Sequence, residues 1–398
     1  MPSLRRCRWL APSWQTTSDL RAATNERRPL FLAERASCYS RDLPDQRRSR
    51  SKRILRSAVA LLGTGAFALG GLTYRHAWAL THFVDGGQRT PPPERLGWRE
   101  RLVPLVRGAT LPHPRHRRTP SDLGLPYERR WVTTADGLRL EAWHVPAPQT
   151  RGTVLLLHGY AAAKDSMLDP ARALRSLGWS SYLVDFRGSG GSSGTDTTIG
   201  VHEGRDVAAA WSAARALTGA DRPVVVYGAS MGAAAALRAI AREGVAPDGL
   251  ILAAPFDRLL HTVTNRFHLL GVPSFPAAHL LVYWGGVQHG FDGFAHNPEE
   301  YAAAVRCPAL VLHGSADERA TPAQARRVFA RLAGPRRFHL FEGLGHESFV
   351  SRRPAEWRAE VGSFLAGLEP SSAVNGAAAG TAPSAESGRR RRRAGTRG

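Results

Sequence analysis

Short apolar runs alternate with longer amphipathic segments between residues 129 and 368. The runs have the length of buried strands, and 153–157 is apolar on both faces, as a central strand of a parallel sheet is. Strands are predicted at 153–157, 181–185, 224–227, 249–253, 308–314 and 338–341. Helices are predicted at 169–177, 203–217, 322–332 and 355–365. This alternation predicts an α/β fold with a mostly parallel, doubly wound sheet and helices on both of its faces.

Two segments of this region do not follow the alternation. Residues 130–134 and 138–144 alternate with period two around Asp136-Gly137, which predicts an antiparallel hairpin. Residues 256–300 are rich in aromatic residues and histidine but have only weak periodicity. We interpret this second segment as a modest lid inserted beside the strand ends.

A long uncharged segment precedes the α/β region. No charged residue occurs from Ser57 to Tyr74, and eighteen helical residues extend roughly 27 Å, close to the hydrocarbon thickness of a bilayer. Six basic residues lie between 47 and 56, while only Arg75 follows closely. A transmembrane anchor is therefore predicted at 54–76, and the positive-inside rule places the N-terminus in the cytoplasm and the α/β region outside.

Two alternatives to a membrane anchor stay open at this point. The segment also fits a signal peptide with cleavage at Ala77-Trp78-Ala79, which would release a secreted protein. The long N-terminal extension speaks against cleavage unless translation starts further along the chain. The second alternative is a buried helix of a soluble protein, which the basic flank and the absence of a polar face disfavour.

The net charge of +21 belongs to the flanks of the chain. The body at 131–370 has a net charge of only +1, so the basic stripe that nucleic-acid binding requires is missing there. We predict disordered basic tails at 1–53 and 369–398 and a Pro/Arg-rich linker at 77–128. Within that linker, His113 and His116 are interpreted as solvated rather than as metal ligands.

The candidate chemistry centres on Gly228-Ala229-Ser230-Met231-Gly232. A β-branched run enters this pentapeptide and an alanine-rich helical sequence leaves it. Gly-x-Ser-x-Gly between a strand and a helix is typical of a nucleophile elbow, which exposes one serine hydroxyl at its tip. Gly228 and Gly232 fit this turn, because strand and helix approach too closely there for a side chain.

Five ordered motifs carry a family resemblance. They are His158-Gly159-Tyr160, Asp185-Phe186-Arg187-Gly188-Ser189-Gly190, the elbow, His313-Gly314-Ser315-Ala316-Asp317 and Gly343-Leu344-Gly345-His346. With them, residues 130–368 resemble the α/β-hydrolase superfamily, in the branch grouped with serine aminopeptidases (S33-like) and small acyl hydrolases or lysophospholipases. The resemblance does not extend to residues 1–129 or to the C-terminal tail.

The resemblance assigns roles to individual residues. It implies that Ser230 is the nucleophile, His346 its general base and Asp317 the acid that orients the histidine. The backbone N–H groups of Tyr160 and Met231 are expected to form the oxyanion hole.

Other titratable residues compete for these roles. Asp257 is the alternative acid, because it also follows a strand. His158 and His313 are interpreted as structural turn residues and His339 as a packing residue. Asp185 is expected to hold its loop by an ion pair with Arg187.

No cofactor or metal is predicted. The glycine-rich loop at 188–194 lacks the Gly-Lys-Ser/Thr of a phosphate-binding loop and does not run straight into a helix. Cys7, Cys38 and Cys307 are too scattered for a disulfide framework or a metal site.

Three functions fit the sequence. The first is a serine hydrolase that cleaves small-molecule or lipid carboxylic esters. The second is a peptidase of the aminopeptidase type, for which Glu203 or Asp257 would have to bind the substrate's α-amino group. The third is a scaffold without catalytic activity, which the complete Ser-Asp-His set disfavours.

Overall fold

The computed structural model describes residues 43–91, 96–101, 103–104 and 108–368. Residues 1–42 of the tail predicted at 1–53 and the whole tail predicted at 369–398, together with Cys7 and Cys38, lie outside the described residues. The chain forms two compact units, one ending at Thr64 and the other beginning at Gly65.

An eight-stranded sheet forms the centre of the second unit, in the order β1-β2-β4-β3-β5-β6-β7-β8. The strands are β1 Glu128–Thr133, β2 Arg139–Val145, β3 Thr153–Leu157, β4 Ser180–Val184, β5 Val224–Ala229, β6 Gly249–Ala253, β7 Ala309–Gly314 and β8 Arg336–Phe341. β1 and β2 form the predicted hairpin, and β2 pairs antiparallel with β4. All other neighbours are parallel, which confirms the predicted α/β class and the mostly parallel sheet.

Helices cover both faces of this sheet. The α-helices are α1 Leu43–Thr81, α2 Leu168–Ser176, α3 Glu203–Thr218, α4 Met231–Arg242, α5 Leu259–Leu270, α6 Ala277–His289, α7 Pro298–Tyr301, α8 Pro322–Arg331, α9 Phe349–Arg352 and α10 Pro354–Ala366. One core cluster joins the sheet to α3, α4 and α8, and a second joins its other face to α2, α9 and α10. The parallel strands β3–β7 are buried on both sides, which explains why they read as continuous apolar runs in the sequence.

Helix α1 begins earlier than the predicted anchor. It starts at Leu43, inside the stretch for which a disordered tail is predicted, because Arg, Lys and Gln are good helix formers and extend the helix into the basic segment. Its part from Ser49 to Thr81 has a mean hydropathy of 1.5 in its most apolar window. Within the described part of the chain, it is the one helix whose length and composition suffice to cross a membrane.

The segment predicted as a linker at 77–128 belongs to the second unit and packs on the rest of it at several points. His82 pairs with Asp196 in an isolated β-bridge, and Val84 pairs with Pro112 in another. Phe83 and Leu111 are buried together with Ala161. These contacts are made by single apolar residues between prolines and arginines. No periodic pattern in the sequence therefore predicts them.

The lid candidate consists mainly of α5 and α6, two helices that the sequence pattern does not resolve. Helix α6 carries apolar residues all around its circumference, so it lacks the apolar stripe by which an amphipathic helix is recognised. Weak periodicity therefore reflects a uniformly apolar helix rather than irregular structure.

Candidate active site

Ser230 occupies the tight turn between β5 and α4. Its φ of +51° lies in the left-handed region, and its backbone N–H donates a 2.8 Å hydrogen bond to the carbonyl of Ala253 on β6. A Cβ on Gly228 would lie 2.5 Å from the Gly232 carbonyl oxygen, and one on Gly232 would lie 2.5 Å from the Leu157 carbonyl oxygen. Only glycine fits both positions, so the sequence pattern around the serine follows from backbone crowding.

The structure brings Ser230, His346 and Asp317 together in one chain of hydrogen bonds. The Oγ of Ser230 lies 3.0 Å from Nε2 of His346, and Nδ1 of His346 lies 2.7 Å from Oδ2 of Asp317. Asp317 follows β7 and His346 follows β8, so both loops leave the carboxyl edge of the sheet on the side of the elbow. Ser230 and His346 are half-buried, while Asp317 is buried.

The carboxylate of Asp317 is held from two sides. Its Oδ1 accepts hydrogen bonds from the backbone N–H groups of Arg319 and Ala320, at 2.9 and 3.0 Å. Burial tends to raise the pKa of Asp317, but the hydrogen bonds from His346 and the backbone outweigh it, and the pKa is lowered. The carboxylate therefore stays ionised and points its second oxygen at the imidazole.

The two predicted oxyanion donors flank the serine. Met231 is the first residue of α4, and a Cβ on Gly159, the residue before Tyr160, would lie 3.7 Å from Cβ of Ser230. Within the described part of the chain, neither N–H donates a hydrogen bond to another protein group. The phenol of Tyr160 donates a hydrogen bond to the Leu80 carbonyl near the end of α1. Burial raises the pKa of Tyr160 to about 12, so this hydroxyl keeps its proton.

The competing histidines are bonded elsewhere. His158 is fully buried; it contacts the Gly159 carbonyl through Nδ1 and accepts a hydrogen bond from the Phe186 N–H through Nε2. His313 is buried with Nε2 2.8 Å from the Ala320 carbonyl. His339 on β8 pairs with Glu356 at 2.8 Å.

The other carboxylates considered for the site, Asp257 and Glu203, also have hydrogen-bond partners elsewhere. Asp257 is fully buried, and its Oδ2 lies 2.8 Å from Nδ1 of His261 and 2.6 Å from Nε of Arg327. Glu203 is fully buried too and accepts hydrogen bonds from Thr197 and Thr198. Neither carboxylate is left to bind a substrate's ammonium group.

The partners of Asp185 differ from the predicted one. Its Oδ2 lies 2.7 Å from Nε2 of His116 and 2.5 Å from Nζ of the fully buried Lys164. Arg187 instead binds Asp206 and Asp136. Burial works to raise the pKa of Asp185, but the hydrogen bond from His116 and the charge of Lys164 bring it down to about 2.

The interpretation of His116 as solvated is therefore wrong, since its ring bonds Asp185 and packs on Trp143. No local pattern links His116 to a carboxylate 69 positions away. His116, Glu141 and Asp185 have the ligand types of a metal site. The ammonium of Lys164, which also lies 3.5 Å from Glu141, already occupies the place of a cation.

A narrow apolar slot, with a cavity volume of about 50 Å³, lies between the end of α1 and the lid helices. It is lined by Ala77, Leu80 and Thr81 of α1, by Thr198 and Ile199, by Leu259 and Val263 of α5, by Leu281, Val282, Gly285 and Gly286 of α6, and by Phe291. Leu80 of its wall accepts a hydrogen bond from the Tyr160 hydroxyl. Thr197, which precedes the lining residue Thr198, contacts the sulfur of Met231 at 3.5 Å. Tyr160 and Met231 do not line the slot themselves, and each is connected to it through one of these contacts.

The aromatic residues of the lid differ in their burial. Phe256 and Phe267 are buried, and Phe291 lines the slot. Phe275, Tyr283 and Phe294 are exposed, and Trp284 is half-buried. Packing on the sheet thus accounts for only part of the aromatic content of the lid.

Comparisons with known proteins identify the family and the fold of this chain. A family model described as serine aminopeptidase, S33, matches residues 148–304. An uncharacterized protein of Mycobacterium tuberculosis is 30% identical over 220 residues, which are 54% of this chain and 70% of the relative. Lysophosphatidylserine lipase ABHD12 of Macaca fascicularis is 28% identical over 267 residues, 60% of this chain and 62% of that protein. A solved esterase of Pyrococcus furiosus shares the fold with a TM-score of 0.54 at 22% identity, over 72% of this chain and all of the esterase.

Proposed function

Since the chain belongs to the α/β-hydrolase superfamily, in its S33 branch, we propose that it is a serine hydrolase that cleaves carboxylic esters through an acyl-enzyme on Ser230. The observation that carries this proposal is the hydrogen-bonded chain from Ser230 through His346 to Asp317. A serine hydroxyl becomes a useful nucleophile when a neighbouring base takes its proton, and this chain supplies the base and its orienting acid.

The reaction proceeds in two halves. Nε2 of His346 takes the proton of Ser230 as Oγ attacks the ester carbonyl, and Asp317 stabilises the imidazolium that forms. The tetrahedral oxyanion accepts hydrogen bonds from the N–H groups of Tyr160 and Met231, each worth about 10²–10³ in rate in comparable enzymes. Collapse expels the alcohol, which takes the proton from His346. Water then attacks the acyl-enzyme with the same histidine as base, which releases the acid and restores Ser230.

The substrate we propose is an ester with an apolar acyl chain. The apolar slot is lined mostly by aliphatic side chains and accepts hydrocarbon rather than charge. In the arrangement observed it is narrow, so a long chain requires α5 and α6 to move apart. The lipase and esterase activities named for ABHD12 and for the Pyrococcus protein support this substrate class.

We further propose that α1 anchors the enzyme in a membrane, with the N-terminus in the cytoplasm and the catalytic unit outside. The basic residues before the apolar run support this orientation. Retention of the helix is supported by Ala77, which is 3% exposed inside α1 at the possible cleavage site. Leu80 just beyond that site binds Tyr160. Cleavage there would remove Ala77 from its packing site in the folded unit.

Peptidase activity is the second candidate, favoured by the description of the matching family model. The structure offers little for it, because Glu203 and Asp257 are buried and satisfied by other residues. An aminopeptidase needs an acidic group that binds the substrate's α-amino nitrogen. Glu203 and Asp257 are the two residues for which the sequence predicts this role. Ester hydrolysis requires no such group.

Covalent labelling separates these functions. We expect a fluorophosphonate probe to label the full-length protein, Ser230→Ala to abolish labelling, and Ser212→Ala, which changes an exposed serine of α3, to leave it intact. Labelling of Ser230→Ala at the wild-type level would contradict the proposal, and a folded wild-type protein that is not labelled would favour a scaffold. We expect hydrolysis of p-nitrophenyl esters and not of aminoacyl p-nitroanilides; the opposite preference would favour the peptidase.

A further inference from the structure

The lid contains a second long stretch without charge. No Asp, Glu, Lys or Arg occurs from Phe267 to Phe291, a stretch that includes the end of α5, the turn after it and all of α6. This charge-free stretch belongs to the folded unit and lies at its surface. Uncharged stretches of this length are typical of segments that contact either a protein core or lipid.

The exposed side of α6 is the unusual part. His279, Tyr283 and Val287 recur at helical spacing and form its outward stripe. Tyr283 is 49% and Val287 53% exposed, and Phe275 in the preceding turn is 74% exposed. A helix on the surface of a soluble domain normally carries charged residues on such a stripe. We call Phe275, His279, Tyr283 and Val287 the lid face.

The lid face lies beside the C-terminal end of the uncharged part of α1, which runs from Ser57 to Tyr74. Tyr74, the last residue of that run, packs edge-to-face on Trp284 of α6 with 5.4 Å between ring centroids. The amide of Gln288 donates a 2.9 Å hydrogen bond to the Tyr74 carbonyl. Tyr74 and Trp78 of α1 are 47% and 45% exposed, and such aromatic residues concentrate where membrane spans meet the headgroup region.

We propose that the lid face rests in the interfacial region of the lipid bilayer, next to the anchor. The occupant is lipid because the face continues the exposed aromatic surface of α1, and the span proposed for α1 holds that surface at the bilayer. An exposed apolar surface in this place is covered by the membrane as soon as α1 is inserted. This inference rests on the anchoring proposed above, and it deepens the proposed function by bringing the apolar slot, whose wall includes α6, to the source of a lipid substrate.

Spin labelling of the full-length chain in vesicles tests the inference. Cys7, Cys38 and Cys307 are replaced by alanine, and a nitroxide is placed at Phe275→Cys or at Leu217→Cys. Leu217 is the matched control, because it is an exposed apolar residue about 20 Å along α3 from the end that faces the lid. In phosphatidylcholine and phosphatidylglycerol vesicles, we expect the label at 275 to collide with oxygen and to be shielded from a water-soluble nickel complex. The label at 217 is expected to collide with nickel.

Each other outcome overturns the inference. Equal nickel accessibility at 275 and 217 would place the lid face in water, and dipolar broadening between labels at 275 would show that a second protein copy covers it. If the protein does not float together with the vesicles in a density gradient, both the membrane anchor and the docking of the lid face are contradicted. None of these readouts depends on turnover, so an inactive enzyme would leave the docking result unaffected while contradicting the proposed hydrolase.

A kinetic readout complements the labelling. We expect Phe275→Ser and Val287→Ser to slow hydrolysis of a vesicle-embedded ester several-fold and to leave hydrolysis of soluble p-nitrophenyl acetate unchanged. Neither residue lines the slot, so a parallel loss on both substrates would indicate damage to the fold and contradict a docking role.

Discussion

The hydroxyl of Tyr160 donates a hydrogen bond to the backbone carbonyl of Leu80, which joins the end of α1 to the loop that carries a candidate oxyanion donor. A second bond reinforces this connection, because the guanidinium of Arg89 donates at 2.9 Å to the carbonyl of Ala161. The segment before the α/β region thus holds the loop at 160–161 from outside. The position of one backbone N–H at the candidate active site is therefore connected to residues that precede the segment matched by the family model at 148–304.

Removing the Tyr160 hydroxyl should lower turnover without weakening substrate binding. A net hydrogen bond contributes about 0.5–1.5 kcal/mol, so Tyr160→Phe is expected to reduce kcat by about 2- to 10-fold with KM unchanged. Tyr182→Phe, which removes a buried hydroxyl on β4, is the control and should retain wild-type kcat. Steady-state kinetics on a soluble ester give the comparison, and an unchanged kcat in Tyr160→Phe would show that the Leu80 contact does not position the loop.

The two candidate acids should separate clearly by mutation. Asp317→Asn removes the charge that orients His346 and is expected to lower kcat by about 10³–10⁴-fold with little change in melting temperature. Asp257→Asn breaks the bonds to His261 and Arg327 and should lower stability while the kcat of the folded fraction stays near wild type. Kinetics and thermal unfolding on both variants decide the assignment, and a larger kcat loss in Asp257→Asn would reverse it.

The elbow glycines should tolerate no side chain. Gly232→Ala places a Cβ 2.5 Å from the Leu157 carbonyl oxygen, and such overpacking typically costs about 1–3 kcal/mol. Gly345→Ala is the matched control, since its Cβ would meet its nearest neighbour, the Ala316 carbonyl oxygen, at 3.6 Å. Denaturant unfolding should show a lower free energy of unfolding for Gly232→Ala alone. Equal stability of the two variants would contradict the crowding described for the turn.

The buried ion pairs around Asp185 predict a specific acid sensitivity. Because the folded-state pKa of Asp185 is lowered from 3.8 to about 2, its stabilising contribution is fully present above pH 4 and is lost as the pH falls toward 2. His116→Ala removes one cause of the lowered pKa and should cost about 1–2 kcal/mol at neutral pH.

Since that cost shrinks at low pH, the difference in unfolding free energy between wild type and His116→Ala should be larger at pH 7 than at pH 2.5. A constant difference for His116→Ala across this range would mean that its ring only packs.

The sequence predicted the parts of the fold that short-range patterns encode. Apolar runs located the parallel strands, and the turn around Ser230 was recognisable because crowding forces glycine at 228 and 232. Other features depend on contacts between distant segments and leave no local pattern. Lys164 and His116 meet Asp185 only after folding, and α6 escaped recognition because its exposed side is as apolar as its buried side. This apolar exposed side of α6 is also the surface for which we propose contact with the membrane.

The acyl-enzyme is the central intermediate of this account, and trapping it is the most direct measurement. Wild-type protein is mixed with an excess of a p-nitrophenyl ester of a medium-chain fatty acid, quenched in acid within milliseconds, digested and analysed by mass spectrometry. The account predicts one acyl group on the peptide that contains Ser230, and none on that peptide in Ser230→Ala. Turnover of the ester with the acyl group on a different residue, or with the same turnover in Ser230→Ala, would contradict it.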